Sequence, residues 1–183
     1  MTPPAIPSPV VWCVGGVDSS GGAGITRDIT TLTSLNIHAC AITTLLSAQS
    51  HTSLLRSEGT TSNVFNTQWQ VLENDLPPNA IKIGALANDE QAHTICSNIQ
   101  RLSSPRPFIA WDPVFITSSG GHLSHLGRLT YTAIKQLLRT VDVVTPNIEE
   151  LAALSRLPIT DQSSLVAAAQ QLISLGTKAV LVK

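Results

Sequence analysis

Charge is scarce in this chain. Asp, Glu, Lys and Arg supply 13 % of its 183 residues and nearly cancel, leaving a formal net charge of −1. That balance offers no basic footprint for a nucleic acid and no polybasic face for a membrane, so the expected partner is a small molecule held in a pocket. Cysteines number three, at Cys13, Cys40 and Cys96. An odd count without a CxxC pair argues against a disulfide framework and points to a reducing compartment, expected to be the cytoplasm. Cys13 and Cys40 read as small buried hydrophobes. No apolar run approaches the ~20 residues that span a bilayer. The first nine residues, MTPPAIPSP, lack the basic and apolar regions of a secretory signal and read as a disordered proline-rich tail.

What the chain does have is apolar material in alternating patterns. With 43 % hydrophobic residues it can bury one sizeable core, and its length is short for two ordinary domains. Apolar strand candidates fall near 10–15, 38–46, 80–84, 107–112, 142–145 and 178–183. Helical stripes lie between them: Phe65, Trp69, Leu72 and Leu76; Leu126, Leu129, Ala133 and Leu137; Leu165, Ala169, Leu172 and Leu175. This alternation predicts an α/β fold, a mostly parallel sheet with helices on both faces.

The most informative segment is 15–28, GGVDSSGGAGITRD, with five glycines and two aspartates between an apolar strand and an amphipathic helix. Val10, Val11, Trp12, Cys13 and Val14 form the strand, which Gly15 and Gly16 are expected to end. Gly21, Gly22 and Gly24 permit positive φ and let a ligand lie against the main chain, near the unpaired N–H groups of a helix start. Ile25, Ile29, Leu32 and Leu35 mark one stripe of that helix, and Asp28 lies on its first turns. A Walker A loop is excluded because no Lys followed by Ser or Thr stands at the required offset. The dinucleotide fingerprint fits poorly, since Arg27 stands where a third small residue belongs. A purely structural turn is the plain alternative, and the two aspartates favour a pocket.

The polar stretch 47–62, which contains Gln49, reads either as a mobile flap over that pocket or as a surface excursion. His122 and His125 lie three apart in a Gly- and Ser-rich context that suits a loop and helix cap better than a metal site. His38, His51 and His93 carry no assigned role.

GGVDSSGGAGITRDI, AITTLLSAQ, AIKIGALA, WDPV and TPNIEEL, in that order and spacing, resemble the hydroxymethylpyrimidine/phosphomethylpyrimidine kinases of thiamine synthesis, in the ribokinase-like superfamily. The resemblance covers nearly all of 10–183. It implies a three-layer, Rossmann-like fold and the N-terminal portion of a ribokinase-like kinase domain. It also implies ATP and Mg²⁺ as cofactors and a pyrimidine as substrate. By the same resemblance, Gly16 and Asp18 underlie the pyrimidine, Asp28 and Gln49 hold its amino group and ring nitrogens, and Val114 forms an apolar wall. Asp112, Asn147, Glu150 and Lys183 fall on the nucleotide and Mg²⁺ side. Asn147 and Glu150 also have a local reading, as helix N-cap and its N3 partner, and the two roles can coexist.

The chain departs from the family at three positions. Ala85 stands where relatives usually carry methionine against the pyrimidine, and Ser118 and Gly121 where they commonly carry Lys and Asp. Relatives continue past the position of Lys183 into a Gly-Gly-His stretch and a Gly-Thr-Gly-Cys anion hole, so the resemblance implies that these 183 residues alone make a poor kinase. Two further readings stay open: an inactive pyrimidine-binding module or lobe of a longer fusion, and a pyridoxal kinase-like enzyme. A homo-oligomer or a missing C-terminal segment is the macromolecular partner left open.

Overall fold

The computed structural model describes residues 9–102, 104–114 and 129–183. The expected N-terminal tail falls almost wholly outside the described residues, as do Ser118, Gly121, His122, His125 and Leu126.

Thirteen elements are described. They are β1 (Val10–Asp18), α1 (Gly24–Ser34), β2 (His38–Gln49), β3 (Leu54–Gly59), α2 (Ser62–Asp75), β4 (Ala80–Ile83), α3 (Asp89–Arg101), β5 (Phe108–Trp111), α4 (Tyr131–Thr140), β6 (Val143–Val144), α5 (Ile148–Ser155), α6 (Gln162–Leu175) and β7 (Ala179–Val180). The seven strands form one sheet in the order β3-β2-β1-β4-β5-β6-β7. Every pairing is parallel except that of β3 with β2. The chain steps outward from β1 to β2 and β3, then returns to the other side of β1 with β4. The crevice at the carboxyl ends of β1 and β4 is therefore a topological switch point, where open α/β sheets bind ligands.

Side chains alternate across the sheet, and the two faces of β1 meet different helices. Trp12 packs its ring edge-on to Trp69 of α2, with centroids 5.1 Å apart. On the opposite face, a β-carbon built on Gly15 would lie 3.3 Å from the Ile25 side chain of α1. Trp12, Trp69 and Trp111 are all fully buried, and the Trp12 indole N–H is satisfied by the Leu76 carbonyl at 2.9 Å. Burying rings of this size is the largest single contribution to such a core.

Two local expectations are corrected. Gly15 and Gly16 do not end the strand: β1 runs on to Asp18, paired with β2 through Asp18 and Ser47, with a register shift between Gly15 and Gly16. The extra residue is Thr44 of β2, and β2 is long enough to keep pairing beyond it. The stretch 47–62 is an antiparallel hairpin of β2 and β3 followed by the start of α2, an architecture that suits either the flap or the surface excursion. Leu129 precedes α4 rather than lying on it, because the Thr130 hydroxyl caps the helix by accepting from the Ala133 amide. The stripe on α1 is only partly used: Ile25 is buried, whereas Leu35 is 62 % exposed.

At the amino-terminal ends of the later strands, buried Asp142 ties three of them together. It accepts from the Ile109 amide at 2.8 Å and pairs with Arg106 at 2.8 Å and Lys178 at 2.6 Å. Burial alone would push this carboxyl up, but the Lys178, Ile109 and Arg106 hydrogen bonds outweigh it and hold it below its usual range. A depressed folded value contributes stability above the unfolded one, and that contribution is lost as pH falls through the folded value. We expect Asp142→Ala to cost about 2–3 kcal/mol near neutral pH, because the Ile109 amide and two cations lose their partner. Chemical denaturation of wild type and variant should show this gap constant above about pH 5 and shrinking below about pH 4. A gap under about 0.5 kcal/mol, the range of an ordinary surface substitution, would contradict the assignment.

Candidate functional site

The crevice at the switch point is a cavity of about 480 Å³. All nine residues singled out from the sequence line it: Gly16, Asp18, Asp28, Gln49, Asp112, Val114, Asn147, Glu150 and Lys183. Ala85 lines it as well.

Gly15, Gly16 and Gly24 line the cavity together with Val17, Ile25 and Leu45, whereas Gly21 and Gly22 do not. Gly21 and Gly24 adopt positive φ, +72° and +62°, whereas Gly22 does not. At Gly24 a β-carbon would sit 2.3 Å from the Gly16 carbonyl oxygen, so the start of α1 presses directly on the end of β1. Val17 and Gly24 bridge there. The Asp18 carboxylate is spent on the turn, accepting from the Ser20 amide at 2.8 Å and from the Ser20 hydroxyl. Ser19 locks the far side: its hydroxyl donates to the Gln49 carbonyl at 2.7 Å and accepts from the Gln49 amide at 2.9 Å. The backbone of Gln49 is thus fixed, while its side-chain amide has no hydrogen-bond partner among the described residues. Beside this loop stands His51, whose Nδ1 would lie 3.4 Å from a β-carbon on Gly22.

A chain of alternating charges crosses the cavity. Lys82 Nζ lies 2.7 Å from Asp28 Oδ2 and 4.0 Å from Asp112 Oδ2. Asp112 Oδ1 in turn receives Lys183 Nζ at 2.5 Å and the Thr145 hydroxyl at 3.3 Å. Lys82 was not singled out from the sequence, although it stands inside the AIKIGALA segment. The available signal was a lysine flanked by two isoleucines in a buried parallel strand.

Asn147 and Glu150 form a reciprocal capping box on α5, each side chain accepting from the other's backbone amide at 2.8 Å. Burial, together with the nearby Asp112 and Glu149 carboxylates, raises the Glu150 carboxyl above its usual value, and the Asn147 amide and Lys183 offset only part of that rise. Beneath the cavity, burial and the neighbouring Asp28 push the Cys13 thiol up to about 12, with Lys82 opposing. A thiol so hard to ionise is a packing group rather than a nucleophile.

As a magnesium site, the donor set is of the right kind. Asp112, Asn147 and Glu150 offer only oxygens that suit a hard cation, and magnesium commonly keeps waters between itself and few carboxylates. Among the described residues no group of three or more His, Cys, Asp or Glu is clustered tightly enough to cage a metal. No helix among the described residues is long and apolar enough to cross a membrane.

The sequence profile of the phosphomethylpyrimidine kinase family matches residues 18–183. A hydroxymethylpyrimidine/phosphomethylpyrimidine kinase of Aquifex aeolicus is 31 % identical over 174 residues, covering 95 % of this chain and 67 % of that protein. The chain spans about two thirds of the length of the curated relatives it matches. The crystal structure of a phosphomethylpyrimidine kinase from Clostridium difficile superposes with a TM-score of 0.82 at 29 % identity, over 96 % of this chain and 74 % of that one. A Staphylococcus aureus pyridoxal kinase, solved with pyridoxal, shares the fold with a TM-score of 0.83 at 24 % identity, over 96 % of this chain and 64 % of that one.

The loop geometry yields a paired test. Gly24→Ala should cost at least about 2 kcal/mol in chemical denaturation, because it combines a left-handed φ with a clash against backbone. Gly22→Ala, with no positive φ and no neighbour nearer than 3.4 Å, should stay within about 0.5 kcal/mol of wild type. Equal losses would show that the β1–α1 contact is not the constraint described.

Proposed function

This chain belongs to the phosphomethylpyrimidine kinase family, and from that premise we propose that its cavity binds 4-amino-5-hydroxymethyl-2-methylpyrimidine or its monophosphate for phosphorylation by MgATP in thiamine biosynthesis. The observation that carries the reading is the shared cavity. Residues the resemblance assigns to the heterocycle and residues it assigns to the nucleotide line one crevice, at opposite ends of the same charge chain.

At the heterocycle end, a flat ring would rest on the Gly16 backbone beside Leu45, whose side chain packs 2.7 Å from where a Gly16 β-carbon would stand. The Gln49 amide supplies a donor beside an acceptor, the complement of an aminopyrimidine edge. The Asp28 carboxylate accepts from the exocyclic amine, and Val114 closes the ring's apolar side. Ala85 makes this wall shallower than a methionine would. Asp18 acts through Ser20, shaping the turn rather than touching the ring.

At the other end, Asp112, Asn147 and Glu150 would hold Mg²⁺ through its waters, and Lys183 would face the phosphates. When bound, Mg²⁺ neutralises phosphate charge and orients the transferring group. Phosphoryl transfer depends on such positioning more than on covalent chemistry by the protein.

Titration calorimetry with the hydroxymethylpyrimidine tests the pocket. Gln49→Ala leaves an amine N–H and a ring-nitrogen acceptor of the pyrimidine unpaired, a loss of ~1–3 kcal/mol, so affinity should fall by about fivefold to 150-fold. Pyridoxal should bind wild type more weakly than the pyrimidine does. Equal pyrimidine affinity in wild type and Gln49→Ala would remove Gln49 from the site, and tighter binding of pyridoxal would favour the pyridoxal kinase-like reading.

A further inference from the structure

The middle of β4 carries a residue that the reading above does not use. Lys82 lies between Ile81 and Ile83, which are 1 % and 0 % exposed, in a strand paired on both sides. A lysine there must thread its stem along the sheet and deliver its charge to a partner, or leave that charge desolvated. The register sets Lys82 beside Cys13 of β1, on the face covered by α1. Gly84 keeps the path open, since a β-carbon there would lie 3.3 Å from Lys82 Nζ.

The partner is Asp28, reached across from α1. Lys82 bonds Asp28 Oδ2 at 2.7 Å, and no group among the described residues bonds the other oxygen, Oδ1. Both side chains line the cavity and are about a quarter exposed, at 28 % and 23 %. We propose that Lys82 is a positioning residue that sets the specificity of the heterocycle site: it pins and neutralises one oxygen of Asp28, leaving the other aimed as an acceptor for an exocyclic amine. This inference rests on the pyrimidine reading and adds to it the group that prepares the carboxylate.

The physical need follows from water exclusion. A flat ligand filling the crevice strips water from Asp28, and a carboxylate without a counter-ion there both resists desolvation and turns freely about its last torsion. Lys82 removes both penalties before the ligand arrives, which is preorganisation. Its second neighbour, Asp112 at 4.0 Å, is too far for a close hydrogen bond and leaves the Asp28 contact dominant.

The test compares two ligands, the 4-amino-5-hydroxymethyl-2-methylpyrimidine and its analogue lacking the 4-amino group, by calorimetry on wild type, Lys82→Met and Lys82→Arg. Wild type should prefer the amine-bearing ring by tenfold or more. Lys82→Met should cut that preference to threefold or less while changing affinity for the analogue by less than twofold. Lys82→Arg should restore the preference to within threefold of wild type. Retained preference in Lys82→Met, or equal weakening of both ligands, would overturn the proposal and leave Lys82 a structural ion pair. If Lys82→Met fails to fold, Lys82→Gln carries the same comparison. Failure of wild type to bind either ring would instead sink the pyrimidine reading itself.

Discussion

The contact between the Gly16 carbonyl and Gly24 leaves no room for a β-carbon, and the geometry of the crevice follows from it. Because α1 begins directly against the end of β1, its first turns carry Asp28 over the sheet, within reach of Lys82 on β4. Any residue larger than glycine at position 24 would lift the helix and separate the two halves of the ion pair.

From that contact the charges fall into series. Asp28, Lys82, Asp112 and Lys183 alternate in sign from α1 across β4 and β5 to the sheet edge. Within this series each carboxylate has a cation beside it, so Asp28 and Asp112 can be partly desolvated without either being left unpaired. The hairpin of β2 and β3 adds Gln49 from the other side, its backbone held by Ser19 so that only the amide is left to turn. Local caps carry part of the same work: Asp18 and the Asn147–Glu150 pair first satisfy backbone groups and so fix the walls they belong to.

Much of this was legible in the residues. Periodicity located six of the seven strands, and the stripe Phe65, Trp69, Leu72 and Leu76 marked α2. The hidden parts other than α3 share a physical cause. β3 reads Leu-Leu-Arg-Ser-Glu-Gly, an edge strand whose pairing partner rather than its own pattern makes it a strand. Helix α3 is announced by Asn88 as cap and by Asp89 and Glu90 in its first turn, a signal that went unused. The continuation of β1 past Gly15 depends on the length of β2, which no local pattern reveals. Lys82 escaped notice because a lone lysine acquires meaning only when topology brings a carboxylate to it.

The central claim is that this crevice, rather than the groove between α2 and α3, receives a flat nitrogen heterocycle against the Gly16 backbone. The most direct measurement is a crystal structure of the protein soaked with the hydroxymethylpyrimidine. The account predicts ring density lying on Gly16, with its exocyclic amine toward Asp28 and its edge toward the Gln49 amide. Density instead in the groove between α2 and α3, beside Trp69 and His93, with the crevice holding only water, would contradict it.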